Sequence, residues 1–353
     1  MRRSAEDLLA DFFAGRSPAL ARAVSIVENH RPGVEEILTA IHPRLGRARR
    51  LGITGPPGAG KSTITTLVAR QMRSSGLTVG IVAVDPTSPF TGGALLGDRV
   101  RMESVALDEG VFIRSMATRG SLGGLAATTR EVADVLDGFG FDRVIIETVG
   151  VGQSELDVAR TADTTMVVLV PESGDSIQTL KAGVMEIADI FVVNKSDRPG
   201  ADRLRNDIEL MLGLRKGASY ANVPAHHGVD MRNLNPARLA RESAREDQPA
   251  AWTPPVLRAV AARGEGMDEL MESIDRHFAY LEKSGELRSR RRERLVERVV
   301  EAAERRMRRR LWDGPVTMKW LHERVDEMEA GTVTPLAVAD ELLAKHGNLV
   351  TGA

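Results

Sequence analysis

Short apolar runs alternate with amphipathic stretches through the middle of the chain. The runs predict strands at residues 50–54, 78–84, 111–114, 143–148, 165–170, 190–194 and 256–261. Several are continuous Val and Ile runs, which is typical of parallel strands that are buried on both faces. Strands that alternate with helices predict an α/β fold, with a mostly parallel sheet flanked by helices. Ligands of such folds bind at the carboxyl ends of the strands.

Helical periodicity takes over at both ends of the chain. We therefore divide the chain into an N-terminal helical segment, residues 1–50, a central α/β domain, residues 51–284, and a C-terminal helical arm, residues 285–353. Residues 214–253 break the alternation, because Pro, Asn, Arg and Ala dominate there. They are predicted to form an excursion from the sheet.

A glycine-rich motif, GPPGAGKS at residues 55–62, lies between the first predicted strand and a predicted helix at 63–73. Strand, glycine loop and helix in this order predict a P-loop, whose backbone N–H groups surround phosphate oxygens. We expect Lys61 to contact the β and γ phosphates and the Ser62 hydroxyl to bind Mg²⁺. The predicted nucleotide contacts of the motif are Gly55, Gly58, Ala59, Gly60, Lys61, Ser62 and Thr63.

Two carboxylates after the second predicted strand are candidate metal ligands. Asp85 ends that strand, and Asp98 follows in a glycine-rich loop. A carboxylate that faces a P-loop suits binding of Mg²⁺ or orientation of a water on it, a catalytic role that we assign to Asp85. Alternatively, Asp85 caps the turn at Pro86, and Asp98 is an exposed loop acid.

A further carboxylate, Glu147, ends the apolar run VIIET. This is the Walker B position, at which the usual residue of a GTPase is Asp. The longer side chain of Glu147 would hold the metal either directly or through water, and we assign it a metal-binding and catalytic role. Gly150, three residues later, would approach the γ-phosphate through its backbone N–H.

The tetrapeptide NKSD follows the predicted strand at 190–194 and matches the guanine-specificity motif N-K-x-D. Its members Asn194, Lys195 and Asp197 are predicted nucleotide contacts, and Asp197 would accept hydrogen bonds from N1 and N2 of guanine. Adenine would leave this carboxylate unpaired, so the motif predicts GTP rather than ATP. Val260 and Ala261, at the end of the last predicted strand, would bring a backbone N–H to guanine O6.

Lys181 lies in the loop PESGDSIQTLKAG, which follows a buried strand. Its ammonium either turns toward phosphate or is solvated on a helix. Spacing alone favours the solvated interpretation.

Composition adds limits on location and partners. The 353 residues include no cysteine, and the formal net charge is −1. Disulfides and thiolate metal sites are therefore excluded, and no apolar run reaches the roughly 18 residues of a membrane span. We expect a soluble, cytoplasmic protein that binds neither membrane nor nucleic acid. Residues 288–310 are nevertheless strongly basic, and they carry an apolar stripe at helical spacing that predicts packing against a second copy or back on the domain.

These motifs, in this order and spacing, resemble the MeaB/ArgK (MMAA-like) family of P-loop GTPases. The segments that carry the resemblance are GPPGAGKST, VDPTSPFTGGALLGDRVRM, ETVGVGQSE, PESGDSIQTLKAG and NKSD. The resemblance implies GTP or GDP with Mg²⁺ as ligands, and a partner acyl-CoA mutase that itself holds adenosylcobalamin. It also implies a homodimer formed through the C-terminal arm.

The resemblance further implies that Ser62, Asp85, Asp98 and Glu147 shape the Mg²⁺ site. The loop at 174–181 would be a third switch that delivers Lys181 to the nucleotide when the mutase docks, which gives Lys181 a catalytic role. Two departures from the family pattern are Ser176, where an acid is common, and the long excursion at 214–253.

The leading functional hypothesis is a GTPase that gates adenosylcobalamin loading, protection or reactivation of methylmalonyl-CoA mutase or a close relative. One alternative is a metal-delivery GTPase of the nickel-insertion type, although the chain has no Cys and only an isolated His226–His227 pair. The other alternative is a nucleotide-dependent protein kinase, against which NKSD argues.

Overall fold

A computed structural model describes residues 5–85, 102–117, 124–148, 154–171, 186–215, 251–312 and 315–351. The strands of these residues are β1 Arg49–Thr54, β2 Val79–Asp85, β3 Val111–Ala117, β4 Arg143–Thr148, β5 Thr164–Leu169, β6 Ile190–Val193 and β7 Val256–Arg258. The last strand is shorter than predicted, because Ala261–Arg263 form a 3₁₀ turn and Val260 bridges to Glu265.

The seven strands form one sheet in the order β3-β2-β4-β1-β5-β6-β7. Every pairing between them is parallel. The prediction of a parallel α/β sheet flanked by helices is confirmed. β1 lies between β4 and β5, with Ile53 opposite Glu147 and Thr54 opposite Val167, so the end of the first strand meets both neighbours at one edge.

Helices precede, connect and follow the strands along the chain. Their bounds are α1 Ala5–Phe13, α2 Ser17–Glu28, α3 Val34–Ile41, α4 Lys61–Ser74, α5 Glu103–Ala106, α6 Gly124–Phe139, α7 Ser154–Thr161, α8 Ala201–Arg215, α9 Met267–Ser284, α10 Glu286–Trp312, α11 Pro315–Glu323, α12 Val325–Glu329 and α13 Pro335–Thr351. The three N-terminal helices and the long helix after Gly285 agree with the predicted periodicity.

Both faces of the sheet are covered by apolar clusters. On one face, the sheet packs against α4 and α9. The residues of this cluster include Leu51 and Ile53 of β1, Ile64 and Val68 of α4, and Ile274 and Phe278 of α9. On the other face, strand residues pack against α6 and the N-terminal helices, among them Val82, Ile146, Leu136, Phe12, Leu20 and Val24. The N-terminal helices therefore share a core with the sheet.

Asp137 of α6 fixes the segment that leads from the N-terminal helices into β1. Its carboxylate accepts hydrogen bonds from the backbone N–H groups of residues 46–48 at 2.8 to 3.2 Å. It also lies 3.1 Å from the Arg50 guanidinium, which contacts Asp134 as well. Burial lowers the pKa of Arg50, the charges of Asp134 and Asp137 raise it, and the net shift is upward, so this buried guanidinium stays charged.

The chain divides into two compact units, Met1–Leu287 and Arg288–Ala353. The second unit contains most of α10 together with α11, α12 and α13. Val338 and Leu342 of α13 are buried within it, whereas no described residue of α10 is buried. Among the described residues, no helix is both long and apolar enough to cross a membrane.

Candidate nucleotide-binding site

The glycine loop after β1 has a backbone that other residues could not adopt. Gly55 has φ +139°, and a Cβ there would lie 2.0 Å from the Val168 carbonyl oxygen. Gly60 has φ +89°, and a Cβ there would lie 2.3 Å from Asn194 Nδ2. Both φ values fall where L side chains are strained. The loop therefore lies tightly against β5 and Asn194.

Lys61 starts helix α4, and its ammonium is held inside the loop. Nζ donates to the carbonyl oxygens of Gly55 at 2.8 Å and Pro56 at 2.9 Å, and the residue is 6% exposed. The first turn of a helix presents N–H groups that favour anions. The loop thus joins a buried cation to a helix N-terminus, which is an arrangement suited to phosphate groups.

Ser62 and Glu147 form a buried oxygen pair beside this loop. Ser62 Oγ donates to Glu147 Oε1 at 2.6 Å, and both residues are under 10% exposed. Hydroxyl and carboxylate oxygens are hard metal ligands. Mg²⁺ that is bound together with a nucleotide takes one or two protein ligands besides phosphates and waters. This pair therefore fits Mg²⁺. Among the described residues, no group of three or more His, Asp or Glu side chains could hold a metal.

Of the other site residues predicted for this region, Asp85 is described only in its backbone, and the rest lie outside the described residues. The backbone of Asp85 ends β2, whose Ala83 is opposite Glu147, so Asp85 lies at the same sheet edge. The structure describes no side chain for Asp85. Asp98, Gly150 and Lys181 lie outside the described residues, and the roles assigned to them stay predictions.

Asn194 connects three parts of the site. Its Nδ2 donates to the Ala59 carbonyl at 2.8 Å, and its Oδ1 accepts from the Ala261 N–H at 3.0 Å. The side chain is 3% exposed. The P-loop, the turn after β6 and the turn after β7 are thus joined through one amide. The Ala261 N–H, which is predicted to contact the base, is directed to Asn194 in this structure.

The turn after β6 carries Lys195 and Asp197. Lys195 has a left-handed backbone, φ +55°, and the Ser196 N–H donates to the Ala259 carbonyl at 3.1 Å. Asp197 is 43% exposed at its side chain and lines a cavity of about 350 Å³, together with Val260, Arg263 and others. This volume lies within the range of small-molecule pockets. Asp197 is therefore open to a ligand while its backbone is fixed.

The structure also shows contacts that the motifs did not reveal. Thr148 Oγ1 donates to Thr54 Oγ1 at 2.9 Å, and this buried pair links the ends of β4 and β1. Thr54 directly precedes Gly55 and Thr148 directly follows Glu147. Their positions next to two motifs could have indicated this contact from the sequence. Arg263 lies 3.5 Å from Asp197, a contact between residues far apart in sequence that no motif signals.

The fold and this site define a P-loop nucleotide-binding protein: a parallel sheet whose carboxyl edge carries a glycine loop, a serine–carboxylate pair and an N-K-x-D turn. More narrowly, the chain belongs to the methylmalonyl Co-A mutase-associated GTPase MeaB family, whose family model matches residues 20–315. The resemblance predicted from the motifs is confirmed. GTP hydrolysis is the activity class of this family, and the prediction of a GTPase is confirmed with it.

Relatives and a solved structure agree with this assignment. A protein of Pyrococcus abyssi, named as a GTPase, is 46% identical over 294 residues, which are 83% of this chain and 82% of the relative. The mouse protein named methylmalonic aciduria type A homolog, mitochondrial, is 32% identical over 304 residues, 82% of this chain and 67% of the relative. The crystal structure of an LAO/AO transport system kinase matches with a TM-score of 0.63 and 26% identity, over 97% of both chains.

Proposed function

We propose that this GTPase is a chaperone that gates adenosylcobalamin loading, protection or reactivation of a partner acyl-CoA mutase. Methylmalonyl-CoA mutase or a close relative would be the partner, and that partner would hold the adenosylcobalamin. The family description names an association with methylmalonyl Co-A mutase, and this description supports the choice of partner.

The observation that carries the nucleotide assignment is the Asn194 bridge. Because Asn194 contacts Ala59 at 2.8 Å and Ala261 at 3.0 Å, one side chain joins the phosphate-binding loop to the turn bearing Asp197. Such a site would hold GTP at both ends, with the phosphates at Lys61 and guanine at Asp197. Lys195 and Val260 would line the base, and Thr63 would offer its N–H from the first turn of α4.

The chain's own residues would prepare the phosphate end. The Ser62 hydroxyl donates its hydrogen bond to Glu147, so its oxygen lone pairs remain available to a cation. Glu147 thereby orients this ligand, and Asp85 and Asp98 are the further predicted metal ligands. Mg²⁺ would neutralise charge that develops on the β and γ phosphates. Lys61 would exchange its carbonyl partners for phosphate oxygens, which are stronger acceptors.

Measurement of phosphate release from GTP, with and without purified methylmalonyl-CoA mutase, tests this proposal. We expect slow turnover by the protein alone and an increase of roughly tenfold or more with the mutase, because a docked partner can complete the site. The Lys61→Ala variant with the mutase controls for contaminating hydrolysis. Equal rates with and without the mutase, in mixtures that still form a complex, would contradict the proposed partner role.

We also propose that the second unit mediates homodimerisation. Helix α10 exposes an apolar stripe: Val296 is 66% exposed, Val300 51% and Met307 47%. Apolar residues at steps of three and four along a charged helix are typical of a helix-packing face. A second copy of this helix would cover that stripe.

Deletion of residues 286–353 is expected to give a monomer that still binds GDP. The predicted dimer face would be lost, whereas the P-loop and the NKSD turn precede the cut. Multi-angle light scattering measures the mass of the truncated and full chains, and the Val296→Glu, Val300→Glu variant tests the stripe within the full chain. A truncated protein that remains dimeric would refute this prediction.

A further inference from the structure

Hydrogen bonds hold the backbone of the turn that carries Asp197, whereas the Asp197 side chain is exposed. The Ser196 N–H donates to the Ala259 carbonyl, and the side chain of Asn194, three residues before Asp197, donates to the Ala59 carbonyl of the P-loop. The Asp197 side chain itself is 43% exposed. A carboxylate that rotates freely would lose rotational entropy when guanine binds, which would weaken binding. A neighbouring charged group that restricts this rotation would therefore aid base recognition.

Arg263 is a charged group in this position, because it forms an ion pair with Asp197. Its Nη2 lies 3.5 Å from Asp197 Oδ2, and its Nε lies 3.0 Å from Glu265 Oε1. Asp197 and Glu265 therefore engage different nitrogens of one planar guanidinium. The five N–H donors of a guanidinium have a fixed geometry. The contact with Glu265 therefore also restricts the orientation of the Arg263 guanidinium toward Asp197.

The segment that carries Arg263 is itself tightly built. Val260 and Glu265 exchange backbone hydrogen bonds, with N···O distances of 3.1 and 3.3 Å, and the Arg263 N–H donates to the Val260 carbonyl at 2.8 Å. Gly266 closes the turn with φ +80°, and a Cβ there would lie 2.2 Å from the Arg258 carbonyl oxygen. The guanidinium therefore extends from a hydrogen-bonded turn, and Arg263 and Asp197 line the same cavity.

We propose that Arg263 is a positioning residue for guanine recognition, which holds the Asp197 carboxylate oriented for the base. The proposal rests on the proposed guanine-nucleotide site. A carboxylate has about four acceptor positions on its two oxygens. Asp197 can therefore keep its ion pair with Arg263 at Oδ2 and still accept from N1 and N2 of guanine. Arg263 would contribute through Asp197 rather than by touching the base.

A simpler interpretation is an exposed ion pair without functional effect, since such pairs contribute little to stability. A double-mutant cycle distinguishes the two, because coupling between Arg263 and Asp197 appears only if one acts through the other. Isothermal titration calorimetry of GDP and ADP would be carried out on the wild type, Arg263→Ala, Asp197→Asn and the double variant.

We expect Arg263→Ala to weaken GDP binding by roughly three- to fivefold, the upper part of the range for an exposed charge pair. ADP affinity should not change, because adenine does not use the carboxylate as a paired acceptor. In the Asp197→Asn background, Arg263→Ala should have no further effect on GDP. Arg263→Lys should recover part of the loss, because a lysine keeps the charge without the planar geometry.

Arg205→Ala is the matched control. Arg205 is also about half-exposed, with 43% of its side chain accessible, and it pairs with Glu209 within α8. We expect its replacement to leave GDP affinity unchanged.

Two results would overturn the inference while leaving the guanine site intact: unchanged GDP affinity in Arg263→Ala, or an equal loss for GDP and ADP, which would indicate a general charge effect. A wild type without preference for GDP over ADP would instead contradict the proposed guanine site.

Discussion

Replacing Lys181 by alanine is expected to abolish the stimulation of GTP turnover by the partner mutase while leaving basal turnover within about twofold. The family resemblance assigns Lys181 to the switch that reaches the nucleotide when the mutase docks. A cation directed at charge developing on the phosphates, in a site closed to water, lowers the barrier strongly, and cations supplied in this way are worth roughly 10³ to 10⁵ in rate. Loss of stimulation should therefore be large, and GTP affinity should change little.

The assay is phosphate release by wild type and Lys181→Ala, each with and without the mutase, after both are shown to bind it. Lys283→Ala, which removes an exposed lysine of α9, is the matched control and should be stimulated like the wild type. Full stimulation of Lys181→Ala would return this residue to the solvated interpretation that its spacing favours.

Replacing Asp197 by asparagine is expected to weaken GDP binding by about a hundredfold and to leave ADP binding nearly unchanged. The guanine N1–H and N2–H₂ groups are both donors, and an asparagine offers one acceptor and one donor in place of two acceptors. One base donor would then face an amide N–H, so a hydrogen bond would be replaced by a repulsive contact.

Calorimetric titration with GDP and ADP measures this change. Asp207→Asn provides the control, because Asp207 is a comparably accessible carboxylate, 35% exposed, that lies 3.9 Å from Arg203 on α8. Unchanged GDP affinity in Asp197→Asn would show that this carboxylate does not read the base.

Most of the sheet could be predicted because its strands are buried on both faces. Such strands contain continuous apolar runs, as in VII of β4, MVVL of β5 and IFVV of β6, and such a run can be recognised without knowledge of its neighbours. The end of β7 was predicted too late. Val260 and Ala261 are apolar like the residues before them, but the bridge from Val260 to Glu265 turns the chain away from the sheet.

The P-loop could be predicted because its parts are consecutive in sequence and its glycines reflect local backbone requirements. Contacts between distant segments had no such signal. The Ala261 N–H is directed to Asn194, 67 positions away, which a motif at either end does not reveal. The contact of Arg263 with Asp197 and the attachment of the N-terminal segment through Asp137 are of the same kind. These three contacts join segments that only the folded sheet brings together.

The affinities of the wild-type protein for GDP and for ADP, measured at the same Mg²⁺ concentration, test whether this chain is a guanine-nucleotide GTPase. We expect GDP to bind at least about a hundredfold more tightly than ADP, because a site built to accept hydrogen bonds from guanine rejects a base that lacks those donors. Equal affinities for the two nucleotides would contradict this expectation.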